Sequence, residues 1–265
     1  MTISDTSQPA RPAKIHVRPA QWADIRAALA LGWADFRAAP LFGLFFGGIF
    51  AFGGLILVSL MFSQGQGYLA YPLAAGFALI GPFVAVGIYE VSRRRENGTP
   101  LDWSGVLGVI FAQGKREIGW MAFITLFILL MWMYQVRVLL ALFLGSQSFT
   151  TIEQFLTVLV TTQDGLTFLA VGHVFGAIDS IVLFSLTVVS FPLLLDKDRD
   201  FITAMITSVK AVTLSPPVMV VWGLTIVVLL ALAMAPAFLG LLVVLPVLGH
   251  ATWHLYRRLV SYEEV

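Results

Sequence analysis

Hydrophobic positions in this chain gather into long runs separated by short polar stretches. Six runs lack acidic residues or nearly so and reach the roughly 20 residues that a helix needs to cross a bilayer. They predict three helical hairpins. The first joins 41–62 to 69–89 through the polar turn Ser63-Gln64-Gly65-Gln66-Gly67. The second joins 118–144 to 166–195 through a longer, mostly uncharged segment, and the third joins 217–234 to 236–256 across the Ala235-Pro236 break. The expected fold class is all-α: a polytopic membrane protein with six transmembrane helices in one domain, residues 20–265. Residues 1–19 are expected to be a disordered tail, since Ser4, Ser7, Pro9 and Pro12 precede any periodic pattern.

Ahead of each hairpin the pattern changes from continuous to periodic. Trp22, Ile25, Leu29, Trp33 and Phe36 recur at helical spacing, with Asp24, Arg26, Asp35 and Arg37 expected away from that face. Trp103, Val106, Leu107, Ile110 and Phe111 repeat the pattern, as do Ile202, Met205, Ile206, Val209 and Val212. Such helices either lie in the membrane interface or pack on the protein's own inner surface. Asp24, Ala28 and Pro40 also recur as Asp200, Ala204 and Pro216 at a constant offset of 176. Gly76, Pro82, Arg93 and Arg94 recur as Gly240, Pro246, Arg257 and Arg258 at an offset of 164, which suggests an internal parallel repeat. Asp102 aligns a degenerate third copy in the middle hairpin. In the first span Gly43 and Gly47 form a small-xxx-small pair suited to close packing, within the chain or between copies.

Composition strengthens the membrane reading, because 58% of the 265 residues are hydrophobic and only 12% charged, with a mean hydropathy of +0.89. Charge then orients the chain. Every one of the 16 Lys and Arg residues except Arg137 falls in the N-terminal segment, the 92–117 loop, the 196–215 loop or the Arg257-Arg258 pair. The alternate loops carry Glu153 and Asp164 and no cation, so both termini are expected in the cytoplasm. The charged first 40 residues contain no apolar core of a signal peptide. With no cysteine, disulfides, thiolate metal sites and cysteine nucleophiles are excluded. Nothing basic or acidic enough for nucleic acid is present.

Ionisable groups inside spans are costly and therefore mark candidate chemistry. Arg137 and Asp179 fall at roughly 28 and 24 Å from the inner ends of their antiparallel spans, compatible with a pair beside His173. Such a group can serve an ion or proton path or hold the hairpin together. His250 and His254 stand one helical turn apart, a spacing open to metal or haem ligation and equally to interfacial hydrogen bonding beside Trp253, Tyr256 and Arg257. Glu90 precedes Arg93 and Arg94 at pairing distance. Arg93, Arg94, Arg95, Arg257 and Arg258 are candidates for lipid headgroups. No phosphate loop, zinc-protease motif or nucleophile elbow occurs, and neither catalysis nor a bound cofactor is expected.

Three segments carry a family resemblance: Gly81-Pro82 through Tyr89-Glu90-Val91-Ser92-Arg93-Arg94, Ser190-Phe191-Pro192-Leu193-Leu194-Leu195-Asp196, and Gly249-His250-Ala251-Thr252-Trp253-His254-Leu255-Tyr256-Arg257. In these the chain resembles the prokaryotic predicted integral membrane proteins of domain of unknown function 2189. The resemblance implies a bacterial inner-membrane location and no assigned activity. Some similar sequences carry the label cytochrome c oxidase subunit I, but four histidines and six spans exclude a catalytic oxidase subunit. The leading expectation is a noncatalytic scaffold or accessory protein in contact with the bilayer and with another membrane protein or a second copy. Two alternatives stay open: a small-solute or ion transporter using Arg137, Asp179 and His173, and a metal- or haem-handling protein using His250 and His254.

Overall fold

The computed structural model describes residues 14–63, 70–114, 116–145 and 152–263. It is helical apart from one small sheet. The segments expected as the first hairpin contain α2, Pro40–Ser63, and α3, Ala70–Glu96, preceded by α1, Trp22–Ala38. Those expected as the second contain α5, Glu117–Phe143, and α7, Gln163–Thr187, continued by the short α8, Ser190–Asp196; α4, Trp103–Gly114, precedes them and α6, Ile152–Thr161, lies between. Those expected as the third contain α10, Pro216–Met234, and α11, Leu241–Leu259, preceded by α9, Phe201–Thr213. Four of these segments are long and apolar enough to cross a membrane: Pro40–Ser59, Glu117–Phe143, Gln163–Asp196 and Pro216–Met234. The turn at 64–69 and the tail through residue 13 lie outside the described residues.

Local chemistry accounts for the element ends. Asp24 closes a capping box with Gln21 at the start of α1, and the Asp200 carboxylate accepts from the Thr203 amide at the start of α9. Pro40 and Pro216 each stand first in their helix, where the missing N–H is no loss. The single span expected over 166–195 is broken at Val188 and Val189, between α7 and α8. Pro192 is the cause: it offers no N–H to the Val188 carbonyl and its ring crowds that turn. Ser208 of α9 caps the freed Val189 amide at 3.1 Å.

Residues 14–17, expected to belong to the disordered tail, are part of the folded chain. Lys14–Val17 forms β1, antiparallel to β2, Val260–Glu263, so that Lys14 opposes Glu263 and Val17 opposes Val260. The sheet ties the two ends of the described chain together on one face of the molecule. A four-residue polar alternation carries too little periodicity to announce a strand, and its partner lies at the other end of the sequence.

Helix faces divide the expected stripe and bury Asp24 and Asp35, which periodicity places away from the packed side. The periodic bulky residues of α1 do not all turn inward: Trp22 and Trp33 are 53% and 46% exposed, whereas Asp24, Ala28, Gly32 and Asp35 are buried. In α9 the buried side is Ala204, Thr207, Ser208 and Ala211, with Ile202 and Ile206 exposed. Small residues let these helices approach their neighbours closely, while Ile25, Phe36 and Val212 add large apolar side chains to the same buried sides. At Gly32 an added Cβ would meet the Ala251 amide nitrogen and Val247 carbonyl of α11 at 2.7 Å, so glycine sets how closely α1 lies on α11. Gly47 makes the same close approach to Leu241, so this half of the Gly43/Gly47 pair packs within the chain.

Candidate functional site

Where α1, α3 and α11 converge, polar side chains that are far apart in sequence form one buried cluster. Ser92 and Arg95 of α3 lie one turn apart, as do His250 and His254 of α11, and Asp35 of α1 stands between them. The Asp35 carboxylate accepts from the Ser92 hydroxyl at 2.7 Å, from His254 Nε2 at 2.7 Å and from Arg95 Nε at 2.8 Å. Burial by itself would raise this carboxyl's pKa. Bonds from His254, Ser92 and Arg95 outweigh that and hold it at about 2, so Asp35 is ionised.

Proton bookkeeping follows from that charge. An ionised carboxylate only accepts, so the single Ser92 hydrogen goes to Asp35. His250 Nδ1, 2.7 Å from the same Ser92 oxygen, must then be the protonated nitrogen and donate. The order is thus His250 to Ser92 to Asp35, with serine in the middle. That order cannot activate a serine: its proton is already given to the acid, and Ser92 is wholly buried. His250 is 1% exposed, and its Nε2 finds no hydrogen-bond partner among the described residues.

The expected histidine pair is therefore drawn into hydrogen bonding, but inside a cluster rather than at an interface. One nitrogen of His250 is bound to Ser92 and one of His254 to Asp35, so the two rings serve different partners. Among the described residues no three His, Cys, Asp or Glu side chains gather to hold a metal.

Around this centre the arginines are neutralised in pairs. Glu90, 1% exposed, accepts from Arg93 Nε and Arg94 Nε at 2.7 Å each. Arg94 continues to Asp102 at 2.8 Å, passing against Gly105, where an added Cβ would make the guanidinium shift. Arg257 bonds Glu96 at 3.0 Å and approaches Asp196 at 3.3 Å, while Trp253 Nε1 donates to Glu96 at 3.0 Å. Arg258 lies 3.6 Å from Asp24, which Arg18 grips through both guanidinium nitrogens. Those Arg18 bonds hold the Asp24 carboxyl below its usual range against the opposing effect of burial. All five arginines expected at lipid headgroups thus already face a carboxylate of the protein.

The middle hairpin presents its ionisable groups differently. Arg137 and His173 are exposed, and His173 Nδ1 lies 2.6 Å from the Leu169 carbonyl one turn back on its own helix. Asp179 is half-buried, and its Oδ2 is buried without a hydrogen-bond partner among the described residues, as is Gln135 Oε1 on the facing α5. No ion pair joins Arg137 to Asp179 among the described residues. The contact of Trp132 with Gly176 shows why. It sets an antiparallel register in which Arg137 stands near the level of residue 171, roughly 12 Å along the axis from Asp179. Two cavities of about 270 and 410 Å³ adjoin Phe50, Gly81 and Ala85, and their walls are almost wholly apolar.

Comparison with known proteins matches residues 70–196 to the family model described as predicted integral membrane protein, domain of unknown function 2189. Over that stretch the chain is similar to this family. No curated protein and no solved structure matches. The domain of unknown function 2189 segment runs from α3 to α8 and so contains Glu90, Ser92, Arg93, Arg94 and Arg95, together with Arg137, His173 and Asp179. Asp35 on α1 and both histidines of α11 lie outside the matched residues. The polar cluster is thus built from one helix of the matched segment and two from its flanks. Sequence periodicity could not announce Asp35, because it places that residue on the outward face of α1.

Proposed function

We propose that this integral membrane protein is a noncatalytic scaffold or accessory protein of the bacterial inner membrane. The observation that carries the proposal is the closure of its buried chemistry. Ser92 and Asp35 are bonded within the cluster, the surrounding arginines are matched to carboxylates, and the neighbouring cavities are almost wholly apolar, with His250 Nε2 the one atom of the cluster left without a partner among the described residues. Such a network joins α1, α3 and α11 into one rigid end, where a partner can dock without chemistry taking place.

The proposed topology has six crossings in three hairpins. Four apolar segments of spanning length support it, together with α3, which packs on α5, and α11, which packs on α2. Pairing of β1 with β2 supports both ends on one side, in keeping with an even number of crossings. The concentration of Lys and Arg at that end favours the cytoplasmic side. An internal repeat is supported by Pro82 and Pro246 standing inside α3 and α11 and by Ala28 and Ala204 being fully buried in α1 and α9. Extraction from native membranes in mild detergent should recover a second membrane protein in fixed ratio, or a stable multimer of this chain. Recovery of a solitary monomer would overturn the scaffold role.

A second reading, a small-solute or ion transporter, draws support from the unpartnered Asp179 oxygen within the second hairpin. Asp179→Asn keeps the shape and removes the charge. A transporter would lose flux in proteoliposomes with this variant while its melting temperature stayed the same; unchanged flux would remove Asp179 from any such path.

A further inference from the structure

The pairing of the α3 and α11 arginines leaves a different basic surface uncompensated. Arg26 and Arg37, both exposed on α1, make no ion pair and no side-chain hydrogen bond among the described residues. They are not scattered. At about 100° per residue, Trp22, Trp33, Arg26 and Arg37 fall within roughly 60° of one another around the helix. On one side of the stripe lie Ala23, Ala30 and Ala34, too short to crowd a guanidinium, and on the other the half-buried Leu29.

The acids of α1 lie on the opposite side. Asp24 and Asp35 are buried and turned toward α3 and α11, where Arg18, Arg258, Arg95 and His254 hold them. The helix is therefore sorted by charge, with its anions consumed internally and its cations and tryptophans outward. Arg37 also sits three residues before Pro40, the first residue of a spanning-length helix, so this face leads directly into the bilayer. Tryptophan prefers the headgroup level, where its ring is shielded and its N–H stays wet, and arginine binds phosphate oxygens in bidentate fashion.

We infer that the outward stripe of α1 formed by Trp22, Arg26, Trp33 and Arg37 binds the phosphate headgroups of anionic phospholipids in the adjoining leaflet. The two tryptophans supply insertion and the two arginines supply selectivity for negative charge. This requires only that α2 enters the membrane and stands or falls apart from the scaffold role.

The test uses the full chain in mixed micelles containing either phosphatidylglycerol or phosphatidylcholine, with lipid binding followed by quenching of tryptophan fluorescence by brominated acyl chains. The native protein should prefer phosphatidylglycerol, and the Arg26→Gln, Arg37→Gln double variant should lose about 25-fold of that preference, about fivefold for each cation removed. Arg26→Lys with Arg37→Lys should restore most of it. Equal binding of the two lipids by the native protein, or a double variant that keeps its preference, overturns the inference. Should the double variant fail to fold, the two single Gln variants decide the matter by the same fivefold loss each. If a soluble acidic peptide at equal charge displaces phosphatidylglycerol from native protein completely, the surface reads protein rather than lipid, and the inference fails.

Discussion

Asp35 shows what a single residue does here. It is buried, charged and bonded to three donors on two other helices, so deleting it would strand an arginine and leave a serine and a histidine unsatisfied. Losing one partner of a buried pair costs about 3 kcal/mol or more, whereas the pair itself contributes far less relative to an apolar packing. The depressed pKa gives a direction with pH. A carboxyl titrating near 3.8 when unfolded and at about 2 when folded adds stability that is complete above its unfolded value and is lost as pH falls toward the folded one. The melting temperature in detergent should therefore drop between about pH 4 and pH 2, and the Asp35→Asn protein should start lower and fall less across that interval. Equal slopes for the two proteins would show that Asp35 does not titrate as its bonds require.

Two glycines separate packing from propensity at the level of the element. Replacing glycine by alanine inside a helix gains about 1 kcal/mol when nothing else changes. At Gly81 nothing among the described residues lies within 4 Å of an added Cβ, which would project toward the cavities beside Phe50. Gly81→Ala should raise the melting temperature. At Gly32 the same methyl meets α11 backbone at 2.7 Å, and overpacking of this kind costs about 1–3 kcal/mol. Gly32→Ala should lower the melting temperature and loosen the Asp35 cluster, which depends on the same approach of α1 to α11. Thermal denaturation of both variants in one detergent checks the contrast; a stabilised Gly32→Ala would mean that α1 lies farther from α11 than the structure places it. Helix boundaries were largely legible from the runs of apolar residues, since length and hydropathy are local. The face of α1 was not, because helical periodicity identifies the apolar stripe without saying whether protein or lipid covers it. In α1 the stripe is divided, with Ile25 and Phe36 buried and both tryptophans exposed.

Over the whole molecule, the sheet of β1 and β2 and the charge asymmetry make one joint prediction. A reporter active only outside the cytoplasm, fused within 64–69, should be active, and the same reporter after residue 263 should be silent. A cytoplasmic signal from the 64–69 fusion would invert the orientation, and opposite-side signals from the two chain ends would be incompatible with the β1–β2 pairing. The helical membrane class, the six runs and their charge bias were determined by the sequence alone, because burial in lipid and the retention of cations act on each segment through its own composition. Whether His250 and His254 ligate, bond or lie exposed, which arginines are free, and that residue 14 meets residue 263 were decided only by the tertiary structure. Those outcomes depend on contacts between segments up to 249 positions apart, and no local pattern records which distant donor a carboxylate will find.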